Sequence, residues 1–129
     1  MSKKILIVED NPQNMRLIEM ALSAEQHTLL EAANGEEAFE VAKKERPDLI
    51  IMDIQLPKMS GLEVTRKLRE IREFSRTPII AITAYAMRGD EEKALDVGCN
   101  AYLSKPIQAR DPPNLIAKMW LQRQEEGKG

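Results

Sequence analysis

Four short apolar runs in this chain each end on polar residues of a different chemical kind. Ile5 to Val8 runs into Glu9 and Asp10, Leu49 to Met52 into Asp53, Ile79 to Ile82 into Thr83, and Ala101 to Leu103 into Ser104 and Lys105. Runs this short, rich in Ile, Leu and Val and apolar on both faces, read as buried strands of a parallel sheet whose two sides are covered by crossover helices. Ligands of such sheets bind outside the carboxyl ends of the strands. Three carboxylates, a hydroxyl and an ammonium are therefore expected to meet at one edge, although they come from segments far apart in sequence.

The stretches between these runs carry helix signals. Asn11 suits a cap and Pro12 a first helical position, with Met15, Ile18 and Leu22 on one face and an end expected near Glu25. A weaker strand follows from Thr28 to Ala32, then a turn at Asn34 and Gly35, then a helix from Glu36 to Glu45 that Pro47 stops. Ser60 and Gly61 open a helix carrying Val64, Leu68 and Ile71, and Pro78 introduces the next strand. A fourth helix is expected from about Arg88 to Val97, ending on Gly98, before a strand from about Asn100 to Ser104. Asp111, Pro112 and Pro113 read as the start of a last helix with Leu115, Ile116, Met119 and Trp120. Five strands alternating with five helices make a doubly wound α/β domain, and the expected strand order is the flavodoxin-like 2-1-3-4-5. One domain over residues 1–124 with a polar tail over 125–129 accounts for the 129 residues.

Composition narrows the function classes. A formal net charge of -2 gives no electrostatic footprint for nucleic acid. Cys99 stands alone and cannot form an internal disulfide, and Lys3 and Lys4 precede too short an apolar run for a signal peptide or a membrane span. A cytoplasmic protein without membrane insertion is expected. His27, Gly61, Gly98 and Trp120 read as structural or surface residues, and Arg66, Lys67, Arg69 and the stretch from Asp90 to Lys93 as solvated helix faces.

Three carboxylates within a few ångströms repel one another, and a cation is the natural remedy. Mg²⁺, with Mn²⁺ as a substitute, prefers carboxylates, a backbone carbonyl and waters, and is commonly shared with phosphate oxygens. Asp10, Asp53 and the carbonyl of Gln55 are the expected ligands, with Glu9 acting through water. A carboxylate also serves as a nucleophile that forms an acyl phosphate. Asp53 is then the acceptor, Lys105 the balancing cation and Thr83 a hydroxyl donor, and the small Ala84 leaves space for the incoming group.

The stretches "ILIVEDN", "DLIIMDIQLPKMSGLEVTRKLR", "TPIIAITAYA" and "GCNAYLSKPI" resemble the receiver domain of two-component response regulators (CheY-like), from Lys4 to about Trp120. The resemblance implies that Glu9 and Asp10 are the acidic pair, Asp53 the phosphoacceptor, Thr83 the switch hydroxyl, Lys105 the active-site lysine and Tyr102 the aromatic switch. It implies a cis bond between Lys105 and Pro106, and places Gln55 and Tyr85 where family members tune hydrolysis. It further implies a histidine kinase or phosphotransfer protein as donor, and a partner face on the fourth helix, fifth strand and fifth helix. A monomer, or a weak dimer on phosphorylation, is expected.

"MDIQLPKMSGLEVT" and "AMRGDEEKAL" are similar to stand-alone regulators of the DivK type, which act on partner kinases in bacterial cell-cycle circuits. A receiver segment of a hybrid histidine kinase is the alternative in the same class. In other classes stand a Mg²⁺-dependent aspartate-nucleophile phosphatase, whose DxD pattern is missing because Gln55 occupies the second position, and a flavodoxin-like electron carrier. The latter lacks a phosphate-binding loop after the first strand.

Overall fold

The computed structural model describes residues 3–23, 26–83, 89–105 and 112–118. The elements are β1 (Lys4–Val8), α1 (Pro12–Leu22), β2 (Thr28–Ala32), α2 (Gly35–Glu45), β3 (Leu49–Asp53), α3 (Gly61–Glu70), a 3₁₀ turn (Arg72–Phe74), β4 (Ile79–Thr83), α4 (Asp90–Asp96) and β5 (Ala101–Ser104). Residues 112–118 form a further helix, α5. All strands are parallel in the order 2-1-3-4-5, as the sequence implied.

The central strands are apolar throughout because both of their faces are covered. Leu6, Val8, Ile50, Met52 and Ala81 face a core shared with Ala38 and Ala42 of α2, Val64 and Leu68 of α3 and Ala94 of α4. Ile5, Ile7, Ile51, Ile80 and Ile82 face the opposite core, with Met15, Ile18 and Leu22 of α1 and Ile116 of α5. The helices are therefore divided between the two sides, with α1 and α5 on one and α2, α3 and α4 on the other. Among the described side chains of α4, Ala94 alone is buried, and Leu95 stands 47% exposed.

Several boundaries differ from the sequence reading. α1 stops at Leu22, where Ser23 turns its hydroxyl and backbone amide onto the Met20 carbonyl. Asn34 is a cap rather than a turn residue: its side chain accepts from the Glu37 amide at 2.9 Å, so α2 begins at Gly35. α3 ends at Glu70, with Ile71 as its cap in extended conformation before the 3₁₀ turn. α4 starts at Asp90, where Gly89 at φ +99° supplies a left-handed entry. Glu25, Arg88, Met119, Trp120 and the 125–129 tail lie outside the described residues.

The largest correction concerns Arg69, which is not on a solvated face. Its Nε and one terminal nitrogen donate to the Gly98 carbonyl at 3.0 and 2.8 Å, the other terminal nitrogen donates to the Phe74 carbonyl at 2.6 Å, and Asn100 Oδ1 accepts at 2.8 Å. Asn100 Oδ1 also accepts from the Ile79 amide at 2.9 Å. One guanidinium thereby ties α3 to the entries of β4 and β5, at the end of the sheet opposite the carboxyl edge.

Candidate functional site at the carboxyl edge

The parallel register brings the polar residues together. Val8 pairs with Met52, Asp53 with Ile82, and Thr83 with Ser104, so Glu9, Asp53, Thr83 and Lys105 all emerge at the carboxyl ends of β1, β3, β4 and β5. The backbone continues the ladder by one step beyond the strands. Glu9 N–H donates to the Ala32 carbonyl, Ile54 N–H to Ile82 and Lys105 N–H to Thr83. These bonds fix where each side chain starts.

Glu9 and Asp53 are each only 2% exposed, and Thr83 is 1% exposed. Lys105 Nζ lies 3.1 Å from Asp53 Oδ2 and 3.3 and 3.4 Å from the two Glu9 oxygens. Asp10 is exposed, and one carboxylate oxygen each of Glu9, Asp10 and Asp53 fall within 4.8 Å of one another. Burial pushes the Glu9 carboxyl up to about 7, reinforced by hydrogen bonding and repulsion from Asp53 and only partly offset by Asn14 and Lys105. Burial works against the Lys105 charge, but Asp53 and Glu9 outweigh it and its pKa rises. Three carboxylates, Glu9, Asp10 and Asp53, thus crowd around the single ammonium of Lys105. The donors on offer are hard oxygens with one carboxylate open to water, and that set fits Mg²⁺ or Mn²⁺.

The loop after β3 is built around Asp53. Gln55 N–H donates to Asp53 Oδ1 at 2.9 Å, a contact of its amide that the sequence reading, concerned with its carbonyl, did not include. Lys58 takes φ +70°, a left-handed position for a side-chain-bearing residue, and Gly61 N–H turns back onto the Ile54 carbonyl at 2.8 Å. A Cβ on Gly61 would fall on the Asp53 carbonyl oxygen, so glycine there reflects close backbone approach to Asp53. At Gly98, φ is +111° and a Cβ would meet the Arg69 side chain, so that glycine serves the Arg69 tie.

Tyr102 is half-buried on β5 and packs against the core on the α4 side. Ala84, Tyr85 and Pro106 lie outside the described residues. Asn14 was missed: its Nδ2 donates to Glu9 Oε1 at 3.0 Å. Its place four residues beyond Asp10, on the first turn of a helix that starts two residues after the acidic pair, is the signal that would have found it.

Comparison with known proteins agrees with this geometry. Residues 5–117 match the response regulator receiver domain. The polar-differentiation response regulator DivK of Brucella anthropi is 50% identical over 107 residues, covering 83% of this chain and 87% of that protein. The receiver domain of a sensor histidine kinase from Pseudomonas aeruginosa, solved with a magnesium ion in its active-site cleft, is 37% identical with a TM-score of 0.83, covering 92% of this chain and 97% of that one. A phosphorylated cyanobacterial phytochrome response regulator is 30% identical with a TM-score of 0.78, covering 84% of each chain. Among the described residues, no helix is long and apolar enough to cross a membrane. With its topology, its carboxyl-edge cluster and its match over nearly the whole chain, this protein belongs to the response regulator receiver domain family.

Proposed function

We propose that this receiver accepts a phosphoryl group on Asp53 from a histidine kinase or a histidine phosphotransfer protein, and that the modification changes its affinity for a partner protein. The supporting observation is the contact of one ammonium, Lys105, with both buried carboxylates, at 3.1 Å to Asp53 and 3.3 Å to Glu9. An Asp53 oxygen attacks phosphorus, and the donor's P–N bond breaks with its electron pair leaving on the imidazole nitrogen. A new P–O bond gives the acyl phosphate. Lys105 balances the charge on the transferring oxygens and on the acceptor.

Asp10, Asp53 and the Gln55 carbonyl would hold Mg²⁺ or Mn²⁺, with Glu9 acting through water. When bound, the ion would supply positive charge to offset the crowded carboxylates and the incoming phosphoryl group. The Thr83 hydroxyl moves inward to donate to the new oxygens, and Tyr102, on the neighbouring strand β5, reorients with it. Gln55, two residues beyond the acceptor in sequence, and Ala84 and Tyr85, one and two residues beyond Thr83, set how quickly water removes the group. The only chemistry assigned to the chain itself is this self-phosphorylation and the later dephosphorylation.

The match to DivK supports a stand-alone regulator; we further assign it a cytoplasmic role towards kinases, a partner face on α4, β5 and α5, and a monomeric or weakly dimeric state, from the family resemblance alone. The 37% identity to a sensor-kinase receiver supports a second reading, a receiver within a hybrid kinase. The size of the endogenous protein on an immunoblot separates the two.

The test of the primary reading is incubation with Mg²⁺ and acetyl phosphate or phosphoramidate, followed by intact mass. A single phosphoryl increment that requires both the metal and Asp53 is expected. Equal labelling of Asp53→Ala, or no increment with metal present, overturns the assignment.

A further inference from the structure

We propose that Asn14 is a positioning residue of the acidic site, holding the Glu9 carboxylate in one orientation through the hydrogen bond from its Nδ2 to Glu9 Oε1 at 3.0 Å. The inference rests on the metal-dependent reading of the site given above. Glu9 carries one methylene more than an aspartate would, and therefore one more torsion to fix at a position where a carboxylate has to face a cation. Lys105 does not distinguish the two Glu9 oxygens: its ammonium lies almost equally far from both, at 3.3 and 3.4 Å. The Asn14 amide is planar and hydrogen-bonds one oxygen only, Oε1, and so breaks the equivalence of the two. The amide presents its nitrogen to Glu9, donating to the one carboxylate oxygen within reach.

Asn14 is itself held. The Asn11 side chain accepts from the amides of Gln13 and Asn14 at 2.8 and 3.1 Å, and its carbonyl accepts from Met15 at 2.9 Å. Met15 and Ile18 then anchor the helix in the core. A line of fixed contacts thus runs from the start of α1 through Asn14 and Glu9 to Lys105 and Asp53. A neutral donor suits this position. A cationic side chain would compete with the metal, whereas an amide orients the carboxylate without cancelling its charge. When phosphorylation adds oxygens at Asp53, the Lys105 charge is drawn towards them, and the uncharged Asn14 contact stays on Glu9.

The test measures the Mg²⁺ dissociation constant by titration calorimetry, with thermal unfolding of the metal-free protein alongside. The variants are Asn14→Ala, Asn14→Leu, which keeps the volume without a donor, and Asn14→Gln, which keeps the donor. Outer contacts to metal ligands typically change affinity by about 10- to 100-fold. We expect about a tenfold loss for the alanine and leucine variants, recovery in the glutamine variant, and no further loss when Asn14→Ala is added to Glu9→Gln. Wild-type affinity in Asn14→Ala or Asn14→Leu, or the same factor lost with and without Glu9, overturns the positioning role. Wild-type protein that binds no Mg²⁺ overturns the reading of the site itself.

Discussion

Arg69→Ala removes four hydrogen bonds at once, two to the Gly98 carbonyl, one to Phe74 and one to Asn100. A hydrogen bond to a charged group contributes about 1.5–3 kcal/mol when its loss leaves a buried acceptor bare. These three acceptors are only partly buried, and water reaches them once the guanidinium is gone. A discounted value of about 1 kcal/mol per acceptor gives a loss of about 3 kcal/mol, a substantial part of the 5–15 kcal/mol typical of a domain. For a chain of this size that corresponds to a fall of roughly 12 °C in Tm. Urea unfolding followed by far-UV circular dichroism is the assay, with an unchanged m-value as evidence that stability rather than the unfolded state has moved. Arg69→Lys is expected to recover less than half of the loss, because an ammonium cannot span three acceptors as the planar fork does. Arg66→Ala, at an exposed position on the same helix, is the control and should fall within about 0.5 kcal/mol of the parent protein. An Arg69→Ala midpoint indistinguishable from that of Arg66→Ala would refute the tie as a source of stability.

Gly61→Ala forces the Asp53 backbone to shift, with a loss of about 1–3 kcal/mol and slower phosphorylation by acetyl phosphate; wild-type stability and rate would contradict the close approach. Lys105→Ala leaves the Mg²⁺ dissociation constant unchanged or lower, since a competing cation is gone, while slowing phosphorylation at saturating Mg²⁺ by about 10²-fold, measured by mass-resolved time courses. Burial raises the Cys99 thiol above its ordinary value of 9.0, with a Thr65 hydroxyl contact at 3.8 Å and Arg69 only partly opposing the shift. The folded state therefore keeps its proton where the unfolded chain ionises, so stability should fall as pH rises past 9, and Cys99→Ala should flatten that slope in urea titrations. The same burial predicts slow labelling by thiol reagents at pH 8, rising to the free-thiol rate on unfolding.

The sheet and its edge were legible because they rest on local signals. Runs such as Leu49 to Met52 are too short and too apolar for anything but a covered strand, and each carries its functional residue at its end. Arg69 was not legible for the converse reason. A basic residue on an amphipathic helix reads as solvated, and its burial depends on Gly98 and Asn100, 29 and 31 positions away. Asn34 was ambiguous in kind, since the same side chain suits a turn or a cap, and only the Glu37 amide distinguishes them. Asn14 was hidden by its neighbours, because Asn11 and Pro12 already explained the start of the helix. Helix ends without a glycine, as at Ser23, leave little trace in composition.

The asymmetry between α3 and α4 bears on how readily the domain changes state. α3 sinks Val64, Thr65 and Leu68 into the core and abuts Asp53 through Gly61, so moving it would expose several side chains. α4 seats a single methyl group, that of Ala94, among its described side chains, and a methyl-sized burial is worth only about 0.8 kcal/mol. Displacing α4 therefore exposes far less apolar surface than displacing α3, so the sheet face between Thr83 and β5 is the side of the domain on which a rearrangement costs least.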